Sequence, residues 1–122
     1  MTTPDWYWHN GLHDAKICSV LQKDVPWDPS QKTPDKNCLV IKLDCDGAMF
    51  EQNITEIRFY NFKILTSGLD LNSLNNGWWL SDKLTQTGEK YLLELQFDTA
   101  KCDPQKLELR FCRAEVLRDN GI

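Results

Sequence analysis

The stretch YLLELQFD, residues 91–98, decides the fold class of this chain. Every second residue in it is apolar, namely Tyr91, Leu93, Leu95 and Phe97. Most of the positions between them are polar. Because side chains along a strand point alternately to its two faces, the pattern indicates a β-strand with one face in a core and the other in water.

The same alternation recurs in LVIKLDC (residues 39–45), EIRF (56–59) and LELRF (107–111). No ten-residue segment carries a stripe of apolar residues at helical spacing, so helix should be minor, with single turns near residues 10–15 and 69–74. The sequence therefore predicts an all-β, antiparallel fold, a sandwich or partly open barrel of six to seven strands.

Two of these strands change phase partway along. After Phe59 the apolar residues shift by one position, to Phe62 and Ile64. After Phe111 they shift in the same way, to Ala114 and Val116. Since one extra residue moves every later side chain to the other face, we expect a β-bulge or sharp bend at residues 60–61 and another at 112–113.

The two phase-shifted strands resemble each other. At an offset of 52 residues, EIRFYNFKIL (56–65) aligns with ELRFCRAEVL (108–117), and the alignment extends over residues 39–65 and 91–117. Two interpretations remain open. The chain arose from two duplicated three-strand units, or amphipathic strands resemble one another for general reasons.

Composition describes a single domain over residues 1–122. The chain is 41% hydrophobic and 26% charged, with a net charge of −4. This balance argues against nucleic acid and anionic membranes, which attract clustered Lys and Arg, and it permits a basic protein partner. No apolar run reaches the roughly 18 residues that cross a membrane. The start, MTTPDWYW, lacks the pattern of a secretory signal, so we expect a cytoplasmic protein.

Cysteine usage and motifs give no catalytic centre. The five cysteines are an odd number without a CxxC pair, so we expect reduced thiols rather than disulfides or zinc ligands. The sequence has no phosphate-binding loop and no GxSxG motif. We therefore predict a protein that is not an enzyme and that holds no cofactor.

The N-terminal stretch DWYWHNGLHDAKI, residues 5–17, is the densest group of functional side chains. His9, His13 and Asp14 have spacing that permits a small metal-dependent enzyme or binder, although Gly11 interrupts the pair. The alternative is structural. In that case Asp14 closes a turn, His13 bonds to backbone, and one or two of the neighbouring rings cover the edge of the core.

Five tryptophans make aromatic residues the other unusual feature. Adjacent residues on a strand face opposite sides, so only one of Trp78 and Trp79 should face the core. The other ring is left for solvent, a groove or an interface, where aromatics are favoured. Together with the proline-rich loop 23–37, these residues form the candidate binding surface: Trp6, Trp8, His9, His13, Asp14, Trp27, Trp78 and Trp79.

The N-terminal "GLHDAKI" and the strands that follow resemble small bacterial β-rich domains of the "LHDA" type, which include some immunity proteins of polymorphic-toxin systems. The specific residues are Leu12, His13, Asp14 and Ala15. The resemblance implies a non-enzymatic protein that binds and neutralises a toxin. A basic toxin would suit the negative charge of this chain, because opposite charges speed the encounter of two proteins.

Overall fold

The computed structural model describes residues 4, 6–8, 11–25, 29–30, 36–46 and 53–119. These residues form eight strands and one 3₁₀ turn. In chain order the elements are β1 (Lys16–Asp24), β2 (Asn37–Asp44), β3 (Ile54–Tyr60), β4 (Lys63–Ile64), the 3₁₀ turn (Leu71–Leu74), β5 (Gly77–Thr87), β6 (Lys90–Asp98), β7 (Pro104–Phe111) and β8 (Arg113–Arg118).

The strands form one antiparallel sheet in the order β4-β7-β6-β5-β1-β2-β3-β8. The predicted all-β, antiparallel class is confirmed. Strands β3 and β4 are two parts of one bent segment, and so are β7 and β8, so the eight strands correspond to six chain segments. None of the described residues belongs to a helix long and apolar enough to cross a membrane.

Both predicted bends are present, at Asn61 and Cys112. Asn61 has a left-handed φ of 54°, and the N–H of Cys112 donates to the carbonyl of Tyr60 at 3.1 Å. The two segments stay paired on both sides of the bends. On one side Tyr60 pairs with Arg113, and on the other side Lys63 pairs with Arg110. The shift in hydrophobic phase thus marks the point where both strands turn together and keep their apolar side chains on the core.

The sheet has a twofold pseudosymmetry that matches the offset of 52 residues. If β1–β4 exchange labels with β5–β8, the strand order read from the opposite edge of the sheet is the same as the original order. Registers correspond as well: the pair Ile41–Ile57 becomes Leu93–Leu109. Likewise, Ile57–Val116 becomes Leu109–Ile64. An origin of the two halves by duplication stays a prediction.

A single core lies on the inner face of the sheet, where the alternating apolar residues predicted it. Its fully buried strand residues include Leu39, Ile41, Ile57, Phe59, Leu93, Leu95, Phe97, Leu107, Leu109 and Phe111. Burying one such side chain stabilises the fold by about 1.5–3 kcal/mol. This core therefore accounts for most of the favourable free energy of folding.

The two halves meet between β1 and β5, where the paired residues are Lys16–Trp78 and Ile17–Gly77. Beyond these pairs the two strands diverge. The described residues before β1, 6–8 and 11–14, lie along β5, and the segment before β5, residues 69–76, lies along β1. Each half of the sheet is thus covered by a connecting segment at its open central edge.

Candidate functional site

Asp82 of β5 is held on the inner face of the sheet by a β-bulge. The register of β5 with β6 shifts between Trp79 and Ser81, so that Trp79 pairs with Phe97 and Asp82 pairs with Leu95. Directly paired residues share a face, and both Phe97 and Leu95 are buried. Without the bulge, Trp79 and Asp82 would point to opposite faces.

Three aromatic side chains donate hydrogen bonds to the Asp82 carboxylate. Tyr7 Oη donates to Oδ1 at 2.5 Å. Trp8 Nε1 and Trp79 Nε1 donate to Oδ2 at 2.9 and 2.8 Å. Burial, and then the bond to Asp82, raise the pKa of the Tyr7 hydroxyl above its usual value. A carboxylate on a core-facing surface is stable only when it is paired in this way.

The other N-terminal ring, Trp6, covers the edge of the core. Its ring centroid lies 5.5 Å from that of Tyr91 and 5.9 Å from that of Phe111, in edge-on and tilted arrangements that aromatic pairs favour. Trp8 is buried and meets the ring of Trp79 edge-on at 5.4 Å. Trp6 and Trp8 of the candidate binding surface therefore pack against the core.

His13 and Asp14 join this segment to β5. His13 Nδ1 lies 2.5 Å from the carbonyl oxygen of Leu80. Because that oxygen only accepts hydrogen bonds, Nδ1 carries the proton and donates. The backbone N–H of Asp14 donates to the carbonyl of Trp79 at 2.8 Å, and His13 Nε2 lies 3.6 Å from Asp14 Oδ2. The bond from His13 to backbone is the one expected of a structural residue.

The metal-dependent alternative receives no support from the described residues. Among them, no group of three His, Cys, Asp or Glu side chains is arranged to hold a metal ion. His9 and Trp27 lie outside the described residues. Their part in the candidate site stays a prediction.

Trp78 is the most exposed of the described tryptophans, with 41% of its surface accessible, whereas Trp79 is fully buried. The alternation of faces along β5 requires this difference, as the sequence predicted. Trp78 lies in a row of paired residues that crosses four strands on the outer face of the sheet. We call this row the Trp78 patch; it consists of Asp44, Lys16, Trp78 and Asp98.

The Trp78 patch is acidic at both ends. Asp98 borders the indole on one side, and Asp44 lies beyond Lys16 on the other. Asp44 also lines an open cavity of about 500 Å³ together with Asp46 and Asp119. A cation approaching the indole therefore meets the Asp98 carboxylate on one side and the Lys16–Asp44 pair on the other.

Sequence reasoning missed Asp82 of β5, which accepts hydrogen bonds from Tyr7 and Trp8 of the N-terminal segment and from Trp79. Asp82 is three residues after Trp79, and side chains three positions apart on a regular strand point to different faces. The local pattern therefore places Asp82 on the face opposite to that of Trp79. Only the bulge brings them together. Comparison with models of protein families, with characterised proteins and with solved structures found no match for this chain.

Proposed function

We propose that this protein is a non-enzymatic module that binds one basic protein partner through the Trp78 patch. The resemblance to "LHDA"-type immunity proteins suggests a toxin as the partner and the cytoplasm of a bacterium as the setting. Binding in this form needs no turnover and no cofactor. It needs an exposed surface whose shape and charge complement the partner.

The observation that carries the proposal is the exposure of Trp78 on the outer face of β5. In the other half of the sheet the corresponding residue is Lys16. The correspondence follows from the pairing of β1 with β5, in which Lys16 and Trp78 face each other across the pseudosymmetry axis. A lysine at such a position is ordinary on a solvent-facing strand. The two halves thus fill this position with different side chains, and exposed tryptophans are enriched among residues that dominate binding energy at interfaces.

Charge supports a basic partner in particular. The chain carries a net charge of −4, the Asp98 carboxylate lies beside the indole, and the charge of Lys16 on its other side is offset by Asp44. Such a surface accelerates association with a positively charged protein and disfavours an acidic one. Salt should therefore weaken the complex mainly by slowing association.

The test uses the purified product of the gene immediately upstream, the expected position of a cognate toxin gene. Isothermal titration calorimetry would measure its affinity for the wild-type protein and for two variants. Trp78→Ser removes the indole of the patch. Leu21→Ser is the matched control, because Leu21 is an exposed apolar residue of β1, 50% accessible, outside the patch.

We expect one-to-one binding that Trp78→Ser weakens by about 2 kcal/mol, roughly 30-fold, and that Leu21→Ser leaves within about 0.5 kcal/mol. Both variants should keep the wild-type circular dichroism spectrum. Absence of binding, or equal losses in the two variants, would overturn the proposal.

A further inference from the structure

The Trp78 patch brings an aromatic face and a carboxylate together on two neighbouring strands. Trp78 of β5 and Asp98 of β6 are a directly paired couple. Paired residues of antiparallel strands have Cβ atoms about 4.5–5.5 Å apart and point to the same face. The Asp98 carboxylate therefore borders the exposed indole.

Asp98 has an unused hydrogen-bonding capacity. Its Oδ1 is buried, and no described residue donates to it. A carboxylate only accepts hydrogen bonds, and a buried acceptor left without a donor is unfavourable for the folded protein. Because Oδ1 is shielded from solvent, a partner reaches it only after the carboxylate rotates about its Cβ–Cγ bond, and a donor supplied in that way removes this cost.

The pair of groups fits arginine better than lysine. A guanidinium is planar, stacks on an aromatic face and donates several hydrogen bonds in its own plane, so one side chain can cover an indole and reach an adjacent carboxylate. An ammonium is compact and strongly hydrated, and it offers no flat surface to the ring. The protein itself uses the arginine arrangement elsewhere on its outer face, where the guanidinium of Arg113 lies 3.9 Å from the ring centroid of Tyr60.

We infer that Trp78 and Asp98 form a recognition point for an arginine side chain of the partner protein. This inference rests on the proposed function and names the chemistry that the Trp78 patch selects. The guanidinium stacks on the Trp78 indole and donates to the Asp98 carboxylate. Asp44 pairs with Lys16 and offsets the repulsion between the Lys16 ammonium and the guanidinium.

The experiment compares three peptides that differ only in the recognised side chain: acetylated, amidated (Gly-Arg)₃, (Gly-Lys)₃ and (Gly-citrulline)₃. The arginine and lysine peptides carry equal charge, so their difference isolates stacking and hydrogen-bond geometry. Titrations are followed in ¹H–¹⁵N correlation spectra through the indole N–H of Trp78, which is assigned from its disappearance in Trp78→Leu.

We expect the arginine peptide to bind at least about threefold more tightly than the lysine peptide, and the citrulline peptide to cause no saturating shift. Asp98→Asn should remove the preference for arginine, as followed through the indole N–H, which remains in this variant. In Trp78→Leu, which lacks that signal, backbone amide shifts are followed instead. The control Glu89→Gln, an exposed acid in the turn between β5 and β6, should keep it. Trp78→Leu tests the aromatic face independently, should Asp98→Asn fail to fold.

Equal affinities for the arginine and lysine peptides would overturn the inference, as would an arginine preference that survives both Asp98→Asn and Trp78→Leu. The two proposals can fail separately. If the upstream gene product binds through Trp78 while the peptides show no preference, only the arginine inference is wrong. If neither the gene product nor any peptide binds, both are wrong.

Discussion

Asp14 and Asn76 hold equivalent positions in the two halves of the sheet. Both have left-handed backbones, with φ of 68° and 63°. The N–H of Asp14 donates to Trp79 of β5 at 2.8 Å, and the N–H of Asn76 donates to Ile17 of β1 at the same distance. The sequence Leu12-His13-Asp14-Ala15 therefore has a counterpart in Leu74-Asn75-Asn76-Gly77, which makes the same turn into the other central strand.

This equivalence predicts how Asp14 responds to substitution. Asp14→Gly should leave stability within about 0.5 kcal/mol, because glycine adopts the left-handed region without strain but increases the freedom of the unfolded chain. Asp14→Val should cost about 1–2 kcal/mol, because a β-branched side chain clashes with its own backbone there. Urea denaturation measures both. The control is Asp24→Val in β1, where valine suits extended backbone; equal midpoints for the glycine and valine variants of Asp14 would contradict the prediction.

The three donors on Asp82 predict a large loss of stability when the carboxylate is removed. Asp82→Ala leaves Tyr7, Trp8 and Trp79 without their acceptor, and we expect unfolding to become easier by about 3 kcal/mol or more. Tyr7→Phe removes one donor and should cost about 1–2 kcal/mol. Chemical denaturation checks both, with Glu89→Ala as a solvent-exposed control. A loss below 1 kcal/mol for Asp82→Ala would show that these bonds do not hold the N-terminal segment.

Tyr7 also predicts a dependence of stability on alkaline pH. Its pKa in the folded protein is raised above the usual 10.0 by burial and then by the bond to Asp82, so the folded state keeps the proton at pH values where the unfolded chain loses it. The stabilisation is complete below pH 10 and falls as the pH rises above it. Between pH 9 and 11 the free energy of unfolding of the wild type should fall more steeply than that of Tyr7→Phe. The difference in slope should stay below about 1.4 kcal/mol per pH unit, the limit for one proton, since the hydroxyl is partly solvated. Parallel slopes in urea titrations would exclude this role.

Burial predicts which thiols react. Cys18 and Cys102 are exposed, whereas Cys38 is buried and Cys45 donates to the carbonyl of Ile54. Burial raises the pKa of both Cys38 and Cys45, which lowers the fraction of reactive thiolate. At pH 8 iodoacetamide should modify Cys18 and Cys102 about tenfold faster or more, as read by mass spectrometry of the labelled peptides. In 8 M urea the difference should vanish, and its persistence would indicate a cause other than the fold.

Much of the architecture follows from local patterns. Alternation of apolar and polar residues puts Tyr91, Leu93 and Leu95 on one face of their strand, whichever strands pair with it. A shift in that alternation locates the bends at Asn61 and Cys112. The order of the strands does not follow from such patterns, because it depends on pairing between residues far apart in the chain. The offset of 52 residues is visible in the sequence as similar residues. Only the strand registers show that residues paired in one half correspond, at the same offset, to residues paired in the other half.

The sequence by itself determined the all-β class, the faces of the regular strands and the requirement that Trp78 and Trp79 point to opposite sides. Tertiary structure alone decided that Trp78 is the outward ring, that Asp82 faces the core with three aromatic donors, and that Asp98 borders the exposed indole. The physical reason is that alternation is a property of neighbouring residues, whereas a bulge and a register are fixed by which distant strand supplies the hydrogen bonds.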